Sequence, residues 1–176
     1  SALVRNTLAE SFYKARFYFN PGGITLGTND KLYLLELKNR EGTVVGRIEM
    51  TNSSGYRLRV SSLKDDGTWV DSAYTTGVTN AVHALEIDWQ GATAPGVNDG
   101  ALTFWLDDVQ KAALTGIDND TRRVDWVQLG CADSTVANAS GTAYFDDFVS
   151  RRSTKIGLSA FGPTTDDLIF SDSFES

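Results

Sequence analysis

Apolar and polar residues alternate with a period of two along most of this chain, and that alternation commits it to sheet. In an extended strand successive side chains point to opposite faces, so each such segment offers one apolar face to a core and one polar face outward. Tyr13-Lys-Ala-Arg-Phe-Tyr-Phe19 is the first clear strand, and Asn20-Pro-Gly-Gly23 ends it. There proline fixes φ and glycine permits a left-handed turn. Residues 31–38, 44–51 and 56–60 read as the next strands, divided by Asn39-Arg-Glu-Gly42 and Asn52-Ser-Ser-Gly55. Residues 68–74 extend further, and residues 84–89 place Leu85, Ile87 and Trp89 on one face with Glu86 and Asp88 on the other. Asn98-Asp-Gly100 turns the chain into residues 101–106, where Leu102, Phe104 and Leu106 point in and Thr103 and Trp105 point out. Asp107-Asp108 turns it again, and residues 124–129 and 143–149 supply the last strands. Residues 110–114 permit at most a helical turn, so the expected class is all-β, in about ten short strands.

At 176 residues, with 41% hydrophobic and 22% charged side chains, the chain fits one domain with a full core. Residues 1–152 form that domain in this reading. Residues 153–176 change character at Gly157, Gly162-Pro163 and Asp166-Asp167, and are expected to be a linker and a short acidic-aromatic tail. A net charge of -7 repels phosphate backbones and anionic lipid alike, which argues against nucleic acid and membrane insertion. Apolar runs are far short of a bilayer span and the amino end shows no charged-then-apolar leader, so a soluble, processed chain is expected. The single cysteine, Cys131, reads as a small buried hydrophobe, and one His with one Cys excludes zinc sites built from those residues.

Taken in order, residues 13–19, His83-Ala-Leu-Glu-Ile-Asp-Trp89, Asp99-Gly-Ala-Leu-Thr-Phe-Trp-Leu-Asp107 and Tyr144-Phe-Asp-Asp-Phe148 resemble the laminin G-like and concanavalin A-like domains of bacterial secreted and surface proteins. The resemblance covers residues 12–152 and implies a two-sheet antiparallel jelly-roll sandwich. Ile169-Phe-Ser-Asp-Ser-Phe-Glu175 resembles carboxyl-terminal segments of exported bacterial proteins, with Ser173 where their pattern has glycine. Both imply a secreted or cell-surface protein. Three sequons, at Asn52, Asn119 and Asn138, fall in expected loops.

Glu86-Ile-Asp88 is the sharpest catalytic candidate. Laminarinase-like jelly rolls use Glu, any, Asp, any, any, Glu, but Gly91 stands where the second glutamate is needed, so a retaining carboxylate pair is incomplete. The alternative for Glu86 and Asp88 is a solvated sheet face paired with Arg57 and Arg59. A binding version puts Arg57, Arg59, Glu86, Asp88 and Trp105 on one face, where indole stacks on a sugar ring and charged groups fork to its hydroxyls. Trp69 and Tyr74 form a second aromatic platform, or else plug the sandwich end. Trp89 and Trp126 read as core. Residues 117–121 and Asp146-Asp147 gather oxygen ligands, making a structural calcium ion a candidate, although neither run supplies the six to eight oxygens calcium takes. His83 reads as a packed or surface residue and not as a base, and no nucleophile elbow or phosphate loop is present.

The resulting expectation is a non-catalytic carbohydrate-binding module whose partner is a glycan or surface polymer, within a larger protein with other domains. A structural or adhesive protein-binding domain is the second reading. A glycoside hydrolase or lyase is the third.

Overall fold

The alternation resolves into strands throughout. The computed structural model describes residues 2–131, 136–158 and 168–172. In chain order the strands are β1 (Ala2–Glu10), β2 (Phe12–Asn20), β3 (Leu32–Lys38), β4 (Val44–Asn52), β5 (Tyr56–Leu63), β6 (Trp69–Asp71) and β7 (Thr75–Val78). They continue as β8 (His83–Gln90), β9 (Gly100–Leu106), β10 (Val109–Ile117), β11 (Val124–Leu129), β12 (Tyr144–Arg151) and β13 (Leu168–Asp172). The first sheet runs β1-β11-β3-β4-β5-β6, with β7 also on β5, and the second runs β10-β9-β8-β2-β12-β13. Their ladders are antiparallel.

The inner faces meet in one core. Leu34, Leu35, Leu37, Ile48, Met50, Leu58 and Val60 come from the first sheet, and Phe17, Phe19, Leu85, Trp89, Leu102 and Phe104 from the second. Burying each such side chain contributes about 1.5–3 kcal/mol. Trp89 is fully buried, as its alternation required, and its indole N–H donates to Ser62 Oγ on the opposing sheet at 3.2 Å. Aspartates 107 and 108 both take left-handed φ, 52° and 65°, the backbone of a two-residue hairpin turn.

That turn explains one departure from the sequence reading. Residues 110–114 are strand, not a helical turn, because the tight hairpin sets β10 directly against β9 and pairs Leu114 with Leu102. Besides β10, three elements escaped the pattern: β1, whose alternation is irregular, β7, which pairs with β5, and β13, which lies antiparallel to β12. Trp126 is not core. β11 turns Val127 and Leu129 inward, so Trp126 lies on the outer face opposite Lys38 and is only partly buried. Cys131 follows the last ladder bond of β11, from the Gly130 N–H to the Leu34 carbonyl, and is exposed rather than buried.

Candidate functional site

The outer face of the first sheet concentrates charge and aromatic rings. On β4 the alternation that sends Ile48 and Met50 inward sends Arg47, Glu49 and Thr51 outward, and on β5 it does the same for Arg57, Arg59 and Ser61. Register places Glu49 opposite Arg59, Thr51 opposite Arg57 and Arg47 opposite Ser61. Tyr33 of β3 stands on the other side of Glu49, and Trp69 and Asp71 of β6 continue the face.

Glu49 is the electrostatic centre of this face and is completely buried. A carboxylate removed from water is costly unless it is paired and hydrogen-bonded. Arg59 meets it twice, with Nε 2.9 Å from Oε1 and Nη2 donating to Oε2 at 3.2 Å. Lys31 Nζ lies 3.8 Å away, and the Tyr74 hydroxyl donates to Oε1. Burial first, and then this bond to a carboxylate, push the Tyr74 phenol up to about 12. It stays protonated across the ordinary pH range.

Above this network lies a cavity of about 330 Å³ lined by Thr28, Asn29, Lys31, Thr51, Ser53, Arg57 and Tyr74. It brings an amine, a guanidinium and a protonated phenol to one space. Arg59 is spent on Glu49 and on Asp71, 3.2 Å from its Nη1, while its guanidinium packs 4.8 Å from the Tyr74 ring centre. Arg57, by contrast, has no carboxylate partner among the described residues.

The residues singled out from sequence therefore separate. Arg57, Arg59, Trp69 and Tyr74 share the first sheet's outer face. Glu86, Asp88 and Trp105 lie on the outer face of the second, on the far side of the core. The expected common face, with Arg57 and Arg59 pairing to Glu86 and Asp88, does not form, because β5 and β8 belong to different sheets. Nor is Glu86 solvated. It is buried, and its two oxygens accept the backbone N–H groups of Ile156 and Gly157 at 2.7 and 2.8 Å. Asp88 pairs with Lys14, and Lys155 pairs with Asp108 and packs 5.2 Å from the Trp105 ring centre. The second face is thus covered by the chain's own residues 155–157, where the sequence reading had only a linker.

Lys31, Glu49 and Arg47 were missed. The alternation in Arg47-Ile-Glu-Met-Thr51 would have found the last two, since it sets both on the polar side of one strand. Lys31 fell at the edge of residues 31–38, one place before β3 begins, and nothing in that run singled it out.

Among the oxygen-rich runs, Asp65, Asp118 and Asp120 converge, with carboxylate oxygens within 4.8 Å of one another. Burial and then the neighbouring Asp65 raise the Asp120 carboxyl above its ordinary value. Asn119 does not join them, because its amide is used internally by Ala92 N–H and the Gln90 carbonyl. Asp146 and Asp147 form no such group: Asp147 pairs with Arg16 at 2.8 Å and Asp146 accepts its neighbour's N–H. His83 is buried, with Nδ1 2.7 Å from Asp107 and Nε2 3.0 Å from Thr79 Oγ1, tying the turn before β8 to the β9–β10 hairpin.

No family model matches this chain, and no curated protein does. Solved structures do. It resembles an endo-β-1,4-glucuronan lyase from the fungus Trichoderma reesei, with TM-score 0.62 and 13% identity over 86% of this chain and 74% of that one. The fold is a jelly-roll sandwich. A variant of alginate lyase Aly36B with a lysine and a tyrosine replaced by alanine, in complex with alginate tetrasaccharide, matches at TM-score 0.55 and 13% identity over 86% and 74% of the two chains. A heptameric SAP-like pentraxin from Limulus polyphemus matches at TM-score 0.55 and 10% identity over 97% and 84%. The chain spans only 59% of a polysaccharide lyase of family 18. These likenesses establish the sandwich and correct the expectation of a non-catalytic, lectin-like module: polysaccharide lyases recur among the neighbours, so the enzymatic alternative is the better supported.

Proposed function

We propose that this protein is a polysaccharide lyase acting on a uronate-containing polymer at the outer face of the first sheet. The observation that carries the reading is the convergence of Lys31, Arg57 and Tyr74 on one cavity. β-Elimination beside a uronate carboxylate needs three things: neutralisation of that carboxylate, a base for the proton on the adjacent ring carbon, and an acid for the departing glycosidic oxygen.

Arg57 supplies the first as a forked donor matched to a carboxylate. Lys31 supplies the amine that takes the C5 proton. The C5–H electrons form the C4–C5 double bond, the C4–O4 bond breaks, and O4 takes the Tyr74 proton. Tyr74 suits the acid role and not the base role, because its raised pKa keeps the proton in place until charge develops on the leaving oxygen. Glu49 orients the phenol and balances Arg59. Trp69, packed against Arg47, continues the face beside the cavity. A secreted or cell-surface location suits a polymer substrate, and the carboxyl-terminal resemblance favours an exported bacterial protein.

The test is ultraviolet detection of unsaturated ends after incubation with polyglucuronate, polymannuronate, polyguluronate and polygalacturonate. Activity on one of these that disappears in Lys31→Ala and Tyr74→Phe supports the reading. Tight binding of a polyuronate with no unsaturated product sinks it.

A further inference from the structure

Away from the cavity, Arg47 occupies an unusual position. Its guanidinium carbon lies 4.8 Å from the Tyr33 ring centre on one side and 4.2 Å from that of Trp69 on the other. Stacking between two rings fixes the plane of the guanidinium before any ligand arrives. Every other described basic side chain on this face except Arg57 has an anionic partner: Arg59 and Lys31 have Glu49, and Lys38 has Glu36 at 3.0 Å. Arg47 has none among the described residues. Its Nε is enclosed without an acceptor, and the Ser61 hydroxyl directly across the ladder is completely buried and equally without a partner. Leaving an enclosed donor unmatched is costly, and a half-buried guanidinium with no anionic partner suits a carboxylate brought by a ligand.

We infer that Arg47 is a second anion-binding point, which grips a carboxylate on a sugar several places along the chain from the one held by Arg57. The inference rests on the uronate reading of the cavity and extends it to the length and charge pattern of the substrate. Arg57 lies opposite Thr51 and Arg47 lies on the same strand as Thr51, four residues away. At the rise of a β-strand that is a separation of about 13 Å. One sugar ring cannot bridge that gap, whereas a short run of linked rings can. The preferred substrate therefore carries carboxylates on successive or near-successive sugars, and isolated uronates in a neutral polymer engage only Arg57.

Calorimetric titration of the full chain with the di-, tetra- and octasaccharide of the cleaved polyuronate tests this, using the Lys31→Ala background to prevent turnover. Arg47→Ala is expected to weaken octasaccharide binding about tenfold, the scale of one charge-assisted hydrogen-bonded contact, and to leave the disaccharide unchanged. Arg47→Lys, which keeps the charge but not the fork, falls between. Carboxyl-reduced octasaccharide is expected to bind wild-type and Arg47→Ala backgrounds equally, and thermal unfolding confirms that each variant is folded. Equal losses at all lengths, or none at any, overturn the inference. So does an octasaccharide of sulfated neutral sugars that binds as tightly as the polyuronate. Length-dependent loss on Arg47→Ala in a protein that makes no unsaturated product keeps this site and removes the lyase.

Discussion

The two outer faces of the sandwich are built from the same ingredients and end in opposite states. Each carries a buried glutamate amid arginine, lysine and tryptophan on neighbouring antiparallel strands. On the second sheet Glu86 is satisfied by two backbone amides of residues 156 and 157, with Ile156 buried beside them. On the first, Glu49 is satisfied by side chains that also line an open cavity. A buried carboxylate closed by backbone serves stability, whereas one closed by Arg59, Lys31 and Tyr74 fixes side chains that line a cavity, as the lyase reading requires.

The largest separation between the faces is expected in turnover. Tyr74→Phe or Lys31→Ala removes a proton-transfer group and lowers kcat about 10²–10⁴-fold, whereas Glu86→Gln changes it by less than about threefold once stability is matched. Steady-state assays on one polyuronate measure both. Comparable losses from the two faces would end the distinction.

Stability is expected to reverse the order. Glu86→Ala strands the Ile156 and Gly157 N–H groups and costs about 1–3 kcal/mol, while Arg57→Ala stays within about 0.5 kcal/mol. Denaturant midpoints at constant slope report this, and an Arg57 effect as large as that of Glu86 would mean the first face is structural as well.

A smaller effect appears at high pH. The Tyr74 phenol is raised from 10.0 to about 12 on folding, and burial raises that of Tyr13 too. The unfolded tyrosines ionise first and then bind fewer protons than the native ones, so stability falls as pH climbs from about 10 through about 12. Tyr74→Phe should flatten part of that decline in pH-dependent melting.

The alternation was sufficient to read the class, most strand positions and, in most of those strands, which residues face out. It identified Trp89, Leu85 and Ile87 as core, and Trp105 and Arg57 as outward. What it could not supply is which strands share a sheet. Arg57 and Glu86 follow the same local rule, and only the long-range order of strands sends them to opposite sides of the molecule. Covering segments are equally hidden, because residues 155–157 act through backbone N–H groups that any sequence possesses. Trp126 failed for a local reason, the irregular pairing of β1 with β11, which breaks the count on which the period depends.

Strand β4 carries a consequence of its own. From Gly46 on, Ile48 and Met50 enter the core and Gly46 sits close against Leu37 and Trp89, while Arg47, Glu49 and Thr51 take the outer face. Substitutions on the outward positions can therefore drift toward new polymers while the interior stays fixed, since the two sets never share a position. A single inserted or deleted residue has no such latitude, because it exchanges the two sets at once. Divergence among proteins built on this strand is expected to proceed by replacement and not by changes in its length.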